Sequence, residues 1–212
     1  MPSTESLLAF IVTAILLSLS PGPSNMYIMA RSMSQGARGG ITAAAGLAVG
    51  SFIYVLASAF GLAAVFIYSP LAFTTLKVLG GLYLLYLAWQ YFHASGQTQI
   101  NTHLRKRPGW RIFRQSIVVE LSNPKTALFF IAFLPQFADG PTESFTQQLL
   151  LLGSLYAMIA FCCDLLVASI AGVLAKWLSG HPGAVRWQDR ISGGLLGLLV
   201  SIILYEEWQS AE

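Results

Sequence analysis

Charged side chains are scarce in this chain of 212 residues. Asp, Glu, Lys and Arg together make up 10% of it, and hydrophobic residues make up 55%. Soluble domains carry about 25% charged residues, so this composition excludes an ordinary soluble protein. Little sequence lies between the apolar stretches, which leaves no room for a separate soluble catalytic or ligand-binding domain.

Cysteine is also rare, and the two cysteines present, Cys162 and Cys163, are adjacent. Neighbouring cysteines seldom bridge each other, and no histidine lies near them in sequence to complete a metal site. We interpret both as small packing residues and expect no metal or other cofactor. The chain also lacks the Ser/His, His-Glu-x-x-His and paired-aspartate patterns of hydrolytic enzymes, so an intramembrane enzyme using Asp164 is a weaker hypothesis.

Long apolar stretches are the abundant feature. Six are long enough to cross a bilayer, which takes roughly 20 residues each, at about 6–31, 41–67, 71–92, 112–137, 146–175 and 190–208. The first has no Lys or Arg before Arg31, unlike a secretory signal, and its apolar pattern resumes after an interruption. The sequence therefore predicts an all-α integral membrane protein with six transmembrane helices, the first of them retained.

Basic residues are concentrated in alternate connections. Ten of the twelve Lys and Arg lie in or beside the first, third and fifth connections: Arg31, Arg38, Arg105, Lys106, Arg107, Arg111, Arg114, Lys176, Arg186 and Arg190. By the positive-inside rule these connections are cytoplasmic, and both termini lie outside. Loop bias accounts for the cluster at 105–114, so we expect no nucleic-acid partner.

Two of the apolar segments are interrupted near their middle by polar clusters that contain proline. The clusters are SPGPSN at residues 20–25 and SNPK at residues 122–125. Proline removes a backbone donor and frees carbonyl groups, which hydrocarbon cannot satisfy. Such breaks are tolerated where they face protein or a wet cavity, and a matched pair indicates a transport site.

The breaks also divide the chain into two similar halves. Each half has three crossings, an odd number, so the second must enter the membrane from the opposite side. We expect one transporter domain over 1–212. It consists of two inverted three-helix repeats, about 1–92 and 112–212, joined by a cytoplasmic linker at about 93–111. The first helix of each repeat is broken at proline. Gly46-x-x-x-Gly50 in the second segment predicts close helix packing, and such small-residue faces permit a homodimer.

Three sets of polar groups are expected near one depth of the bilayer: the two breaks and Asp164. A charge at this depth costs at least about 2.5–3.5 kcal/mol, so it needs a partner or a function. Asp164 can couple transport to protons, counter a substrate ammonium, pair with Lys125, or bond to a broken helix. Lys125 can hold a substrate carboxylate or pair with Glu120 or Asp164. Glu120 lies nearer the cytoplasmic end.

Broken helices offer binding groups of both signs. The N–H groups that begin a second half attract anions, and the carbonyls that end a first half attract cations. Asn25 and Asn123 add hydrogen bonds without charge. Two breaks at one depth therefore suit a small zwitterion such as an amino acid. The predicted substrate-binding residues are Pro21, Gly22, Pro23, Asn25, Asn123, Pro124 and Lys125, with Asp164 as the proton-coupling residue.

The motifs that carry a family resemblance are spread over nearly the whole chain. They are Leu19-Ser20-Pro21-Gly22-Pro23 with Asn25, Gly36-x-x-Gly39-Gly40 with Gly46-x-x-x-Gly50, LGGLYLLYL at 79–87, and Leu121-Ser122-Asn123-Pro124-Lys125 followed by Leu134-Pro135-Gln136-Phe137. The chain resembles the amino-acid exporter family of lysine exporters and homoserine/threonine efflux proteins (LysE/RhtB type). This resemblance implies efflux of amino acids or close derivatives across a bacterial-type inner (plasma) membrane, driven by the proton gradient.

One departure from the family pattern bears on the substrate. Many members carry an Asp directly after the second glycine of Gly-x-x-x-Gly, where this chain has Ser51. With one fewer buried acid, we expect a neutral, homoserine- or threonine-like amino acid rather than a dibasic one. The alternatives to a proton-coupled exporter are an uncoupled channel or importer of small zwitterions, or a membrane scaffold without transport.

Overall fold

The computed structural model is helical throughout the elements it describes. The third and sixth predicted segments lie largely outside the described residues, and so does Pro21. The described residues are 4–20, 22–62, 69, 71–72, 75, 78–79, 82, 85–86, 89, 93, 106–138, 142–180, 187, 190, 194 and 201.

Six α-helices have bounds within this part of the chain. They are α1 (Thr4–Leu19), α2 (Pro23–Gln35), α3 (Ala37–Ala57), α4 (Gly109–Leu121), α5 (Pro124–Leu128) and α6 (Thr142–Gly180). A π-helical turn, Ser58–Leu62, extends α3. Another π-helical turn, Phe129–Phe133, follows α5 and leads into a 3-10 turn, Leu134–Phe137.

The helices are long and apolar enough to span a membrane. The stretches Ala37–Leu62 and Ser144–Ala171 reach mean hydropathies of 1.8 and 2.2. Two bent pairs have the same character: α1 with α2, and α4 with the helical segment Pro124–Phe137, each bent by 51°. Both bends lie at the predicted breaks. In each case the second half begins with a proline, which tolerates the first helical position because that position needs no N–H.

The first connection is much shorter than the sequence predicted. We expected a loop from about residue 31 to residue 41, but α2 continues to Gln35 and only Gly36 separates it from α3. Gly36 has a φ of 73°, a left-handed conformation that glycine adopts without steric cost. Arg31, which we assigned to this connection, is instead a buried residue of α2.

Close packing of α3 depends on its glycines. A Cβ added at Gly46 would overlap the Phe113 carbonyl oxygen and lie 2.7 Å from the Ser116 Cβ, and one added at Gly50 would lie 2.6 Å from the Glu120 Cβ. Both contacts are with α4. The structure thus confirms that the Gly46-x-x-x-Gly50 face lets two helices approach closely.

Two hydrophobic clusters fill the interior at different levels. The aromatic cluster joins α1, the end of α3 with its π-helical turn, the turns after α5 and the first half of α6; its largest members are Phe10, Phe129, Phe130, Phe133, Phe145 and Tyr156. The aliphatic cluster joins α2, α3, α4 and the second half of α6; it includes Ile28, Leu47, Ile112 and Val167. We predicted both cysteines as packing residues, but Cys162 is exposed on α6 and Cys163 is partly covered. Adjacent residues of a helix point in different directions, so the two side chains meet different surroundings.

Candidate functional site: a polar layer at the two helix breaks

A layer of buried polar side chains separates the two hydrophobic clusters. Along every described span, residues of one cluster are followed by polar residues and then by residues of the other cluster. The sequence prediction that the breaks and Asp164 share one depth agrees with this order. We call this set the polar layer; it comprises Ser18, Ser20, Ser24, Asn25, Ser51, Glu120, Asn123, Lys125, Thr126 and Asp164.

The first break leaves carbonyl groups exposed at the end of α1, because a helix end has no intrahelical donors for them. The Asn25 side-chain amide donates to the Ser18 and Ser20 carbonyl oxygens, at 2.8 and 2.9 Å. Lys125 Nζ, from the second break, donates to the carbonyl oxygens of Leu17 at 2.9 Å and Ser20 at 3.0 Å, and to Ser20 Oγ at 3.2 Å. A cation at a helix C-terminus is also favoured by the helix dipole.

The second break is held by Asn123, which is 1% exposed. Its Oδ1 accepts a hydrogen bond from the Lys125 backbone N at 3.1 Å and so caps the N-terminus of α5. Its Nδ2 donates to Ser24 Oγ, at 2.9 Å, in the first turn of α2. Asn123 and Lys125 therefore tie the second break directly to the first, as the sequence predicted the two breaks would meet.

The predicted ion pairs of Lys125 are replaced by these contacts. The three acceptors of Lys125 Nζ all belong to the end of α1, and not to Glu120 or Asp164. Tertiary structure decides this outcome, because the free carbonyls of α1 lie within reach only when the two halves are packed together. Lys125 thus has a structural task at the first break that the sequence did not reveal.

Glu120 occupies a more central place than the sequence indicated. It is 5% exposed, and its carboxylate accepts hydrogen bonds from three hydroxyl groups on three different helices. Ser24 Oγ of α2 donates to Oε2, while Ser51 Oγ of α3 and Thr126 Oγ1 of α5 donate to Oε1 at 2.8 and 3.0 Å. No spacing in the sequence identifies this set, since its members are brought together only by folding.

Asp164 approaches the same layer from α6. It is 8% exposed and lies close enough to Glu120 and Lys125 for their charges to act on it. Tyr156, two turns earlier on α6 and 2% exposed, comes near Ser18 and Thr126. The structure therefore gathers Asp164 with the two breaks, as predicted, and adds Tyr156, which the sequence analysis did not single out.

The N-terminus of α2 is a set of backbone donors at the edge of this layer. Its N-cap residue, Gly22, is extended (φ −170°) and no side chain caps the helix. Pro23 has no N–H. The first backbone hydrogen bond of the helix runs from Met26 N to Gly22 O. The amides of Ser24 and Asn25 lie before this bond and therefore have no acceptor within the helix. Gly22 is buried, but the rings of Pro23 and Pro124 are exposed. The two prolines thus set the course of the backbone and do not line the layer.

Comparison with known proteins agrees with this architecture. The family model described as LysE type translocator matches residues 15–207. The chain belongs to this family. Its members are transporters and not enzymes, so the intramembrane-enzyme hypothesis is rejected for this translocator.

Similar curated proteins cover almost the full length of the translocator. It is 32% identical over 195 residues to the homoserine/homoserine lactone efflux protein of Salmonella typhimurium, covering 92% of this chain and 94% of that protein. It is 28% identical over 194 residues to the leucine efflux protein of Salmonella choleraesuis, covering 90% of this chain and 88% of that protein. No solved structure matches this translocator.

Proposed function

We propose that this translocator exports small neutral amino acids, of the homoserine or threonine kind, across the inner membrane. The observation that carries the proposal is the contact between the two helix breaks within one buried polar layer. Breaks of this kind are favoured only where irregular backbone serves a binding site. The names of the similar proteins, which refer to efflux of homoserine, homoserine lactone and leucine, support the substrate class.

The breaks offer groups for both ends of a zwitterion. The uncapped amides at the start of α2, following Gly22 and Pro23, suit a carboxylate because a helix N-terminus carries a partial positive charge. Lys125 and Asn25, which donate to the end of α1, and Asn123, which donates to Ser24 in the first turn of α2, belong to the same layer. In the described structure most polar groups of the layer hydrogen-bond to one another or to the end of α1. A bound substrate would replace some of them.

The substrate preference needs a different basis from the one that the sequence suggested. The sequence analysis counted Asp164 as the acid of the site and therefore favoured a neutral amino acid over a dibasic one. Glu120 is a second buried acid, and Ser51, which stands at the position where the family resemblance led us to look for an acid, donates a hydrogen bond to it. The number of acids therefore no longer argues against a dibasic substrate, and the preference for a neutral one rests on the similar proteins.

For the membrane topology we propose six crossings in two inverted repeats, about 1–92 and 112–212, with a cytoplasmic linker at about 93–111. The equal 51° bends of the first span of each proposed repeat support this plan. In this plan the basic connections lie in the cytoplasm and both termini lie outside, which the loop charges support. Small-residue faces permit a homodimer.

Transport would proceed by alternating access coupled to protons. Asp164 is the proposed proton carrier, since it is a buried acid beside both breaks with charges of both signs nearby. A second set of contacts joins α2 to α4 and to Arg107 just before it, beyond the polar layer on the side of the aliphatic cluster. There the Gln35 side chain bonds both the N–H and the carbonyl of Arg107, and Gln115 accepts from Tyr27 and Arg31. These contacts would have to separate for access from their side.

Flux measurements test the proposal. Purified translocator in liposomes, preloaded with labelled homoserine, threonine or leucine, is assayed with and without an imposed proton gradient. Coupled export predicts gradient-driven movement of substrate against its concentration, with the substrate recovered unchanged. Downhill flux that is indifferent to the gradient would support the channel or uncoupled importer instead. No flux of any amino acid would contradict the proposal, and liposomes without protein are the control.

A further inference from the structure

The expected cation site at the first break is already occupied by the protein. The carbonyl end of α1 was the predicted position for a substrate ammonium, but Lys125 and Asn25 donate to its Leu17, Ser18 and Ser20 carbonyl oxygens. A second cation there would face the Lys125 ammonium. A substrate ammonium therefore needs another acceptor in the polar layer, and an acid is the strongest available kind.

Glu120 is placed beside the proposed carboxylate position. Ser24, whose hydroxyl donates to Glu120 Oε2, is the second residue of α2, in the turn with uncapped amides. An α-amino acid carries its ammonium and carboxylate on the same carbon, so its receptor needs a negative acceptor directly next to a group of donors. Glu120 and the start of α2 provide this arrangement.

The Glu120 carboxylate also has room for one more donor. An ionised carboxylate offers about four acceptor positions on its two oxygens. Oε1 accepts from both Ser51 and Thr126, whereas Ser24 is the one donor to Oε2 among the residues that the structure describes. The Ser24 hydroxyl in turn accepts from Asn123 Nδ2. The whole network is satisfied when Glu120 acts purely as an acceptor, and one position on Oε2 stays open.

We infer that Glu120 receives the ammonium group of the substrate at Oε2. This inference rests on the proposed function as an amino-acid exporter and adds to it a specificity residue that the sequence analysis had not assigned. Asp164 is then left with the single task of carrying the proton. Close packing of Gly50 against the Glu120 side chain, together with the three hydroxyl donors, fixes the position of the carboxylate before substrate arrives.

Substitution Glu120→Gln tests the inference, because glutamine keeps the shape of the side chain but removes its charge. The assay is equilibrium binding to the purified protein of one amino acid that the wild type transports, and of its 2-hydroxy acid analogue, in which a hydroxyl replaces the ammonium. We expect the variant to bind the amino acid about tenfold or more weakly, since a charge-assisted hydrogen bond is lost. Binding of the 2-hydroxy acid should change little, so the preference for the amino acid disappears.

A second variant tests whether the lost charge, and not another effect of the substitution, is the cause. Ser51 Oγ lies 2.8 Å from Glu120 Oε1, so Ser51→Asp combined with Glu120→Gln returns a carboxylate to nearly the same place from α3. This double variant should recover the preference for the amino acid. Elution as a single species in size-exclusion chromatography is the folding control for both variants.

The outcomes separate the inference from the proposed function. A folded Glu120→Gln variant that keeps the wild-type preference would overturn the inference while amino-acid export stands. If Glu120→Gln does not fold, Glu120→Asp, which withdraws the carboxylate by one methylene, takes its place in the same assay, and an unchanged preference for the amino acid in that variant would overturn the inference as well. Absence of amino-acid flux in the wild type would instead contradict the proposed function itself.

Discussion

Substituting Gly50 by alanine is the most direct test of how the polar layer is held together. Gly50 lies on α3 where it crosses α4, and an alanine Cβ there would lie 2.6 Å from the Glu120 Cβ, 3.0 Å from its Cγ and 3.3 Å from the Ile117 carbonyl oxygen. Ordinary contact begins at 3.4 Å, so α4 or the Glu120 side chain must move. Movement of Glu120 would disturb the hydrogen bonds that its carboxylate accepts from Ser51 and Thr126.

Two opposing terms set the magnitude. Inserting a methyl group into a close-packed interior costs typically about 1–3 kcal/mol. Replacing glycine by alanine inside a helix returns up to about 1 kcal/mol through helix propensity. We therefore expect Gly50→Ala to lower the free energy of unfolding by roughly 1–2 kcal/mol, and to reduce transport because Glu120 is displaced.

Gly61→Ala is the matched control. Gly61 lies in the π-helical extension of α3, and no atom of the described residues lies within 4 Å of the position that its Cβ would occupy. This variant gains a methyl group without a clash among them, so it should be as stable as the wild type or more stable by up to about 1 kcal/mol, and should match it in flux. The measurements are reversible unfolding in mixed detergent and the liposome flux assay. The reasoning would be refuted by a Gly50→Ala protein as stable and as active as Gly61→Ala.

Three further substitutions probe other parts of the layer. Lys125→Met should lower the free energy of unfolding by about 1–3 kcal/mol, because buried carbonyl oxygens of α1 lose a donor. The comparison is the free energy of unfolding of Lys125→Arg, which keeps a charged donor. Asp164→Asn should abolish gradient-driven export while the protein stays folded, and normal pH-dependent transport by that variant would exclude the proton role. The third test is a cross-link, made in a protein with Cys162 and Cys163 replaced by serine. A short bismaleimide that joins Gln35→Cys to Arg107→Cys should stop flux. Undiminished flux would show that this contact need not open.

Much of the framework could be predicted from the sequence because local physics determines it. The apolar lengths predicted the spans that the structure describes, up to four if each bent pair is one span, and the prolines predicted the two bends, since proline can begin a helical segment but not continue one. The spacing of Gly46 and Gly50 correctly indicated a close helix contact. These features depend on residues near each other in the chain.

The role of each polar side chain could not be predicted in the same way. Lys125 was expected to pair with an acid or with substrate, but its donors go to carbonyl oxygens more than a hundred residues away. Glu120 seemed peripheral because its three hydroxyl partners come from three separate helices. Single-residue turns are equally hard to foresee: only the backbone conformation of Gly36 reveals that α2 continues almost directly into α3.

The dependence of the first bend on Lys125 has a consequence for how the protein is made. Because Lys125 lies more than a hundred residues after Leu17 in the chain, the end of α1 is synthesised long before its cationic cap. A carbonyl group in hydrocarbon without a donor is unstable, and nearby water or temporary straightening of the chain must serve in the interim. The first bend therefore reaches its mature hydrogen bonding only after the chain has been synthesised as far as Lys125.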